Sequence, residues 1–169
     1  AKPRKQVHKD GDWHRSVQVW VVDPIKRVLL LQKRSPEKDT NPDKWDISCA
    51  GHVTAGDEPR VTAVREVMEE LGLAVQDPSE LEYLFTAVYS QAGQTKHGPY
   101  QDNELQDVYL LERTGLDVGA MERNTEVSDF QCLPFEELKD LYLARDPRFV
   151  PMEPTYVERL FQILERYGE

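Results

Sequence analysis

The stretch from Gly51 to Leu73, GHVTAGDEPRVTAVREVMEELGL, leaves the chain little conformational choice. It is a glycine-bearing loop that runs into one short helix, with Glu66, Glu69 and Glu70 crowded towards the helix end. At roughly 100° per residue, Glu66 and Glu70 stand about 40° apart, and Glu69 falls about 60° to the other side. Val61, Val64, Met68 and Leu71 occupy the opposite arc and are expected to form the buried face. Asp57 is the expected N-cap, Pro59 suits the first turn, and Gly72 is placed to end the helix. On this reading the apolar face fixes the helix and the acidic face is left over. Glutamates on an exposed helix face are ordinarily just solvated. Like charges at i,i+4 cost roughly a few tenths of a kcal/mol, however, so three acids kept together call for a counter-charge nearby. A hard divalent cation with oxygen ligands would supply it.

The segments on either side read as strands and turns. SVQVWVV, up to Val22, is β-branched and aromatic, Asp23-Pro24 is a turn, and RVLLLQKR completes a hairpin. Residues 35–44 carry two prolines and form a loop, and Trp45 to Ala50 is a short strand entering Gly51. LEYLFTAVYS, ELQDVYLLE and EVSDFQCL are further strands, whereas residues 91–103 read as a polar loop of the kind that carries function. PFEELKDLYLAR is helical, and PTYVERLFQILERY is an amphipathic helix with Val157, Leu160, Phe161 and Leu164 on its buried stripe. Residues 1–12 are polar and are expected to form a loose amino-terminal arm. Strands, one helix, more strands and two helices fit an α/β (α+β) domain with a mixed central sheet, a single unit over residues 1–169. Neither a G-x-G-x-x-G nor a Walker pattern is present.

Charge narrows the partners. The net charge of −10 and pI near 4.9 argue against a general nucleic-acid or anionic-membrane binder, because a phosphate polymer would be repelled on average. A small phosphorylated ligand held by local cations and a metal remains compatible. Two cysteines without framework spacing, and no apolar run near the ~20 residues of a bilayer span, lead to the expectation of a reduced, cytoplasmic protein, monomer or homodimer.

The Gly51–Leu73 stretch resembles the signature of the Nudix hydrolases, G-x5-E-x7-R-E-U-x-E-E-x-G-U, where U is bulky and apolar. Gly51, Arg65, Glu66, Val67, Glu69, Glu70, Gly72 and Leu73 match it; Asp57 stands where the family usually has Glu. The hairpin before it and EVSDFQCLPFEEL after it are also similar, so the resemblance covers most of residues 15–140. It implies a Nudix-like α/β/α sandwich and a Mg²⁺- or Mn²⁺-dependent diphosphatase acting on a nucleoside diphosphate or related molecule. Glu66 and Glu70 would be the principal metal ligands, Glu69 a third, and the Gly51 carbonyl and His52 further ones. Arg65 would hold the helix and its carboxylates, and the shorter Asp57 puts its usual contact with Arg65 in question.

A second likeness is to the branch of this superfamily containing isopentenyl diphosphate isomerase. There a cysteine immediately precedes the Gly-His pair; here that place is Ala50, and Cys49 is one residue early. A one-residue shift on a strand turns a side chain to the other face, so Cys49 is read as core. The intact REVMEE also favours a hydrolase. By the same likeness Arg34 and Lys38 would bind the diphosphate, and Glu104, in Asp102-Asn103-Glu104, would be a general base or an added metal ligand. His8 and His14 align with metal-binding histidines of that branch, His8 loosely; taken singly they read as surface or hydrogen-bonding groups. The rivals to hydrolysis are isomerase activity and a binding module that senses a phosphorylated ligand without cleaving it.

Overall fold

The computed structural model describes residues 2–168. In chain order the elements are helix α1 (Arg4–Asp10), strands β1 (Trp13–Asp23), β2 (Val28–Arg34), β3 (Trp45–Asp46) and β4 (Cys49–His52), and helix α2 (Pro59–Leu71). Strands β5 (Leu81–Thr95), β6 (Gly98–Glu112) and β7 (Val127–Pro134) follow, then helices α3 (Phe135–Leu143) and α4 (Pro154–Leu164). The strand order is β3-β2-β1-β6-β5, with β4 also paired to β1 and β7 to β2. This is the mixed α/β class expected from the order of elements. The amino-terminal arm is a correction: residues 4–10 form a helix, closed at Gly11 in the left-handed conformation (φ 70°) with its N–H on the carbonyl of Val7.

The described residues group into two compact units, 2–19 with 49–110 and 20–48 with 111–168. In the first, β4 runs antiparallel to the start of β1, with Ser16 opposite His52 and Val19 opposite Cys49. β5 and β6 form a long hairpin through the region read from sequence as a polar loop. Residues 91–103 lie at the far end of the hairpin, where β5 is largely exposed and β6 is mostly half-buried around polar contacts. Tyr100 lies across Gly93, where a Cβ would come within 2.7 Å of the ring.

Helix α2 packs on β4; its N-cap is shifted by one residue and its C-cap is where the sequence put it. The Glu58 carboxylate accepts from Val61 N at 3.2 Å in the N-cap role expected of Asp57, and Gly72 (φ 64°) ends the helix. Its buried face also differs. Thr62, Ala63, Val67 and Leu71 are buried, while Val61 and Met68 are 55% and 53% exposed. Small Ala63 and Thr62 let the helix approach the strand closely, which turns Glu66 and Glu70 half inward and leaves Glu69 outside. Leu71 keeps the buried place that the periodicity gave it, while Thr62, Ala63 and Val67 take the contact expected of Val61 and Met68.

In the second unit β2 is central, paired to β3, to β7 and to the end of β1. Asp23 organises the β1–β2 turn: one carboxylate oxygen accepts from the N–H groups of Ile25 and Lys26 and the other from Gly115 N at 3.0 Å. Helix α4 buries Val157, Leu160, Phe161 and Leu164, the stripe read from its periodicity. Trp20, fully buried, donates its indole N–H to the Tyr156 hydroxyl at 2.9 Å. Arg34 and Lys38 belong to this unit. The Arg34 guanidinium bonds the Thr40 carbonyl and lies 3.2 Å from Asp46, and Lys38 pairs with Glu126 at 2.6 Å. Each is thus already matched to a carboxylate.

Candidate active site

Two sets of polar side chains gather in the first unit, one on each side of β4. Alternate residues of a strand face opposite ways, and the contacts follow that rule. A Cβ on Gly51 would stand 2.3 Å from Cδ of Glu66, so the absence of a side chain there lets the Glu66 carboxylate lie against the backbone. Cys49, two residues earlier, faces the same helix. Its thiol is fully buried, and burial, reinforced by the negative charges of Glu70 and Glu66, pushes its pKa well up. It is therefore a core residue rather than a ready nucleophile. Arg65 approaches Asp57 to 3.8 Å, so the shorter acid keeps its partner across an exposed gap.

On the other side of β4 the structure brings together three of the four histidines. His8 comes from α1, His14 from β1 and His52 from β4, with ring centroids 5.0–5.8 Å apart. Asp102 and Glu104 join them from β6. His52 thus groups with His8 and His14, not with the helix carboxylates. Nε2 of His8 and His14 lie 3.4 and 3.3 Å from Asp102 Oδ1, and Nε2 of His52 lies 3.2 Å from Glu104 Oε1. Yet these three nitrogens and Asp102 Oδ1 are buried and make no aligned hydrogen bond. They converge on one another without satisfying one another.

The surroundings fix this arrangement. His14 Nδ1 donates to the carbonyl of Asp12 at 3.2 Å, which turns Nε2 towards the cluster. Glu104 is buried and accepts at Oε2 from the Ser16 hydroxyl (2.6 Å) and the Gln106 amide (3.1 Å), so Oε1 is turned to His52 and His14. Burial alone would raise its carboxyl, but the His52 imidazole and the Ser16 hydroxyl outweigh this and hold it well below the usual range. Burial, followed by the Glu104 charge, pushes Asp102 the other way, to about 6. Burial, followed by the charge of Arg4 and the other imidazoles, lowers His8 to about 4, so its ring is neutral near pH 7.

The donor atoms of His8, His14 and His52 lie within 4.8 Å of one another, as do those of His14, Asp102 and Glu104. Imidazole nitrogens and carboxylates with orphaned buried atoms fit a divalent transition ion. The helix carboxylates, all oxygen, fit a harder ion. Ser16 and Gln106 did not stand out in the sequence. Their signal was the i,i+2 spacing of His14-x-Ser16 and Asp102-x-Glu104-x-Gln106, which puts these polar residues on one face of each strand.

The NUDIX domain family matches residues 12–152, spanning the glycine loop, α2 and both donor sets except His8. The chain belongs to the NUDIX family. This Nudix protein is 40% identical over 170 residues to Nudix hydrolase 3 of Arabidopsis thaliana, covering 98% of the chain and 22% of that relative. It is 32% identical over 108 residues to isopentenyl-diphosphate Delta-isomerase 1 of Aromatoleum aromaticum, covering 64% of the chain and 56% of the isomerase. The chain thus spans about a fifth of the first relative's length and about half of the second's. A crystal structure of a MutT protein from Methanosarcina mazei superposes with a TM-score of 0.62 at 16% identity, covering 93% of this chain and 96% of that one. That likeness shows the Nudix fold. No helix among the described residues is long and apolar enough to cross a membrane.

Proposed function

We propose that this Nudix protein hydrolyses a diphosphate bond in a nucleoside diphosphate or nucleoside-diphosphate-linked small molecule, with Mg²⁺ or Mn²⁺ held by α2. The observation that carries the reading is the close fit of Glu66 against Gly51, with Glu70 one turn further along the same half-buried arc. Glu66 and Glu70 would hold the ion, with the Gly51 carbonyl beside them and Glu69 reaching in from the exposed edge. A divalent ion there supplies neutralisation of the diphosphate oxygens and activation of water. Arg65, tied to Asp57, steadies the turn that leads into the helix. His8, His14, His52, Asp102 and Glu104 would hold a second ion, and Glu104, locked by Ser16 and Gln106, serves as ligand rather than as base. Arg34 and Lys38 are the cations proposed for a substrate phosphate, and Asp46 and Glu126 compete for them. Phosphoryl transfer needs little beyond this positioning and charge stabilisation.

The test is a hydrolysis screen over nucleoside di- and triphosphates, sugar nucleotides, dinucleotides and isoprenoid diphosphates, with Mg²⁺ and Mn²⁺ compared. Glu70→Gln should cut turnover on the best substrate by about 100-fold or more, the scale of losing a positioning ligand. Unimpaired turnover in that variant would sink the assignment. Isopentenyl diphosphate isomerisation is a second reading, favoured by the histidine–carboxylate cluster and by the isomerase relative. It requires conversion of isopentenyl diphosphate that disappears in Cys49→Ser, and the buried, helix-facing thiol weighs against it.

A further inference from the structure

The histidine cluster takes its donors from three strands and one helix, and the helix is the element with the least to hold it. Strands β1, β4 and β6 are fixed in a ladder. Helix α1 has seven residues, no buried side chain and no side-chain cap at its start. A helix this short has little stability of its own. Its ion pairs, among them Lys2 with Asp10 at 2.6 Å, lie between groups more than a third exposed, where such pairs contribute little. His8 nevertheless reaches within 3.4 Å of Asp102.

The attachment is at the joint between α1 and β1. Asn103 Nδ2 donates to the carbonyl of Gly11 at 2.8 Å. The carboxamide is locked from behind: Oδ1 accepts from the Ser90 hydroxyl at 2.6 Å and from Gln101 Nε2 at 2.9 Å, and Gln101 Nε2 also donates to Ser90 Oγ at 3.1 Å. Turning the amide over would break the bonds at both ends. Gly11 passes close to this network, since a Cβ there would stand 3.1 Å from Cγ of Gln101. Gly11 lies three residues after His8 and three before His14, and Asn103 lies between Asp102 and Glu104 in sequence. One hydrogen bond therefore joins the segments that carry four of the five cluster residues.

We infer that Asn103 is a positioning residue for the histidine cluster: it clamps the α1–β1 joint at Gly11 and so fixes the reach of His8. The inference rests on the reading of the cluster as a metal centre. Asn103 itself touches no donor atom of the cluster. Its action is to keep the helix from swinging away, and outer partners of metal ligands typically change affinity by about 10- to 100-fold when removed.

The test titrates Co²⁺ into the metal-free 169-residue chain, with hydrogen–deuterium exchange of residues 4–11 read in parallel. Asn103→Ala should weaken Co²⁺ binding by about 10- to 100-fold, as His8→Ala does. The double variant should be no weaker than His8→Ala alone, because the clamp acts only through His8. Exchange over residues 4–11 should rise in Asn103→Ala and stay near wild type in His8→Ala. A double variant that loses the full factor twice assigns Asn103 a general structural role and overturns the inference, as does an Asn103→Ala that binds like wild type while His52→Ala binds weakly. Wild-type protein that takes up no Co²⁺, or a His52→Ala variant that binds as well as wild type, overturns the metal reading and the clamp with it.

Discussion

One missing side chain, at residue 51, decides where the Glu66 carboxylate of α2 can sit. Glu66 occupies the volume that a methyl group on that backbone would fill, 2.3 Å from its Cδ. Gly51→Ala should therefore fold, because the rotamer of a half-buried glutamate can give, but the carboxylate must move by about an ångström. Displacement on that scale can cost roughly 100-fold in rate. Steady-state kinetics on the substrate found by the screen should show the loss in kcat, with far-UV circular dichroism unchanged. A variant with wild-type kcat would mean that Glu66 does not act from this position. Residue 57 is the opposite case. Asp57 lacks a methylene relative to the family pattern, yet it stays within 3.8 Å of Arg65, and both side chains are more than two-fifths exposed. A pair that open is worth about 1 kcal/mol at most, so the departure is tolerable.

At the level of elements, strands and helices were legible where one face meets the core and the other does not. The stripe of α4 and the β1–β2 hairpin with its Asp23-Pro24 turn follow directly from alternation and turn chemistry. Helix α2 and Leu71 on its buried face were located correctly, but the rest of the buried arc was not, because Thr62 and Ala63 carry little hydrophobic signal and matter through close approach to β4. The long β5–β6 hairpin was hidden for a related reason, since strands that leave the core lose the alternation that identifies them. The signature carboxylates were readable as a pattern, whereas His8, His14, His52 and Glu104 meet only through pairing of distant segments. The Asp23 turn shows what its anchor contributes. Burial opposes ionisation of Asp23, but amide donors from Lys26, Gly115 and Ile25 outweigh it and hold the carboxyl below its ordinary value. The resulting stabilisation is present above about pH 4 and is lost as pH falls through the depressed folded pKa. Asp23→Asn should lose about 1–3 kcal/mol at pH 7, since an amide cannot accept at both ends. Denaturant titrations at pH 7 and pH 3 should show the gap between variant and wild type closing at the lower pH; a gap independent of pH would remove the ionised carboxylate from the account.

For the molecule as a whole, the charge balance and the two donor sets make the same demand. Ten net negative charges on 169 residues repel one another, and part of that repulsion is concentrated where Glu66, Glu69 and Glu70 share a helix end and where Asp102 and Glu104 share a strand. Divalent ions that bind the folded chain and not the unfolded one stabilise it by mass action, about 2.7 kcal/mol for each site at a free concentration of 100 Kd. For a chain of this size each such site should raise the melting temperature by roughly 5–10 °C. The two sets share no residue and face opposite sides of β4, so their contributions should add. Thermal melts across a Mn²⁺ series should rise in wild type, rise by only part of that amount in Glu70→Gln and in His52→Ala, and stay flat when both substitutions are combined. A full wild-type rise in the double variant would place the ion elsewhere on the acidic surface. A flat profile in either single variant would mean that the chain binds one ion through both donor sets, not two.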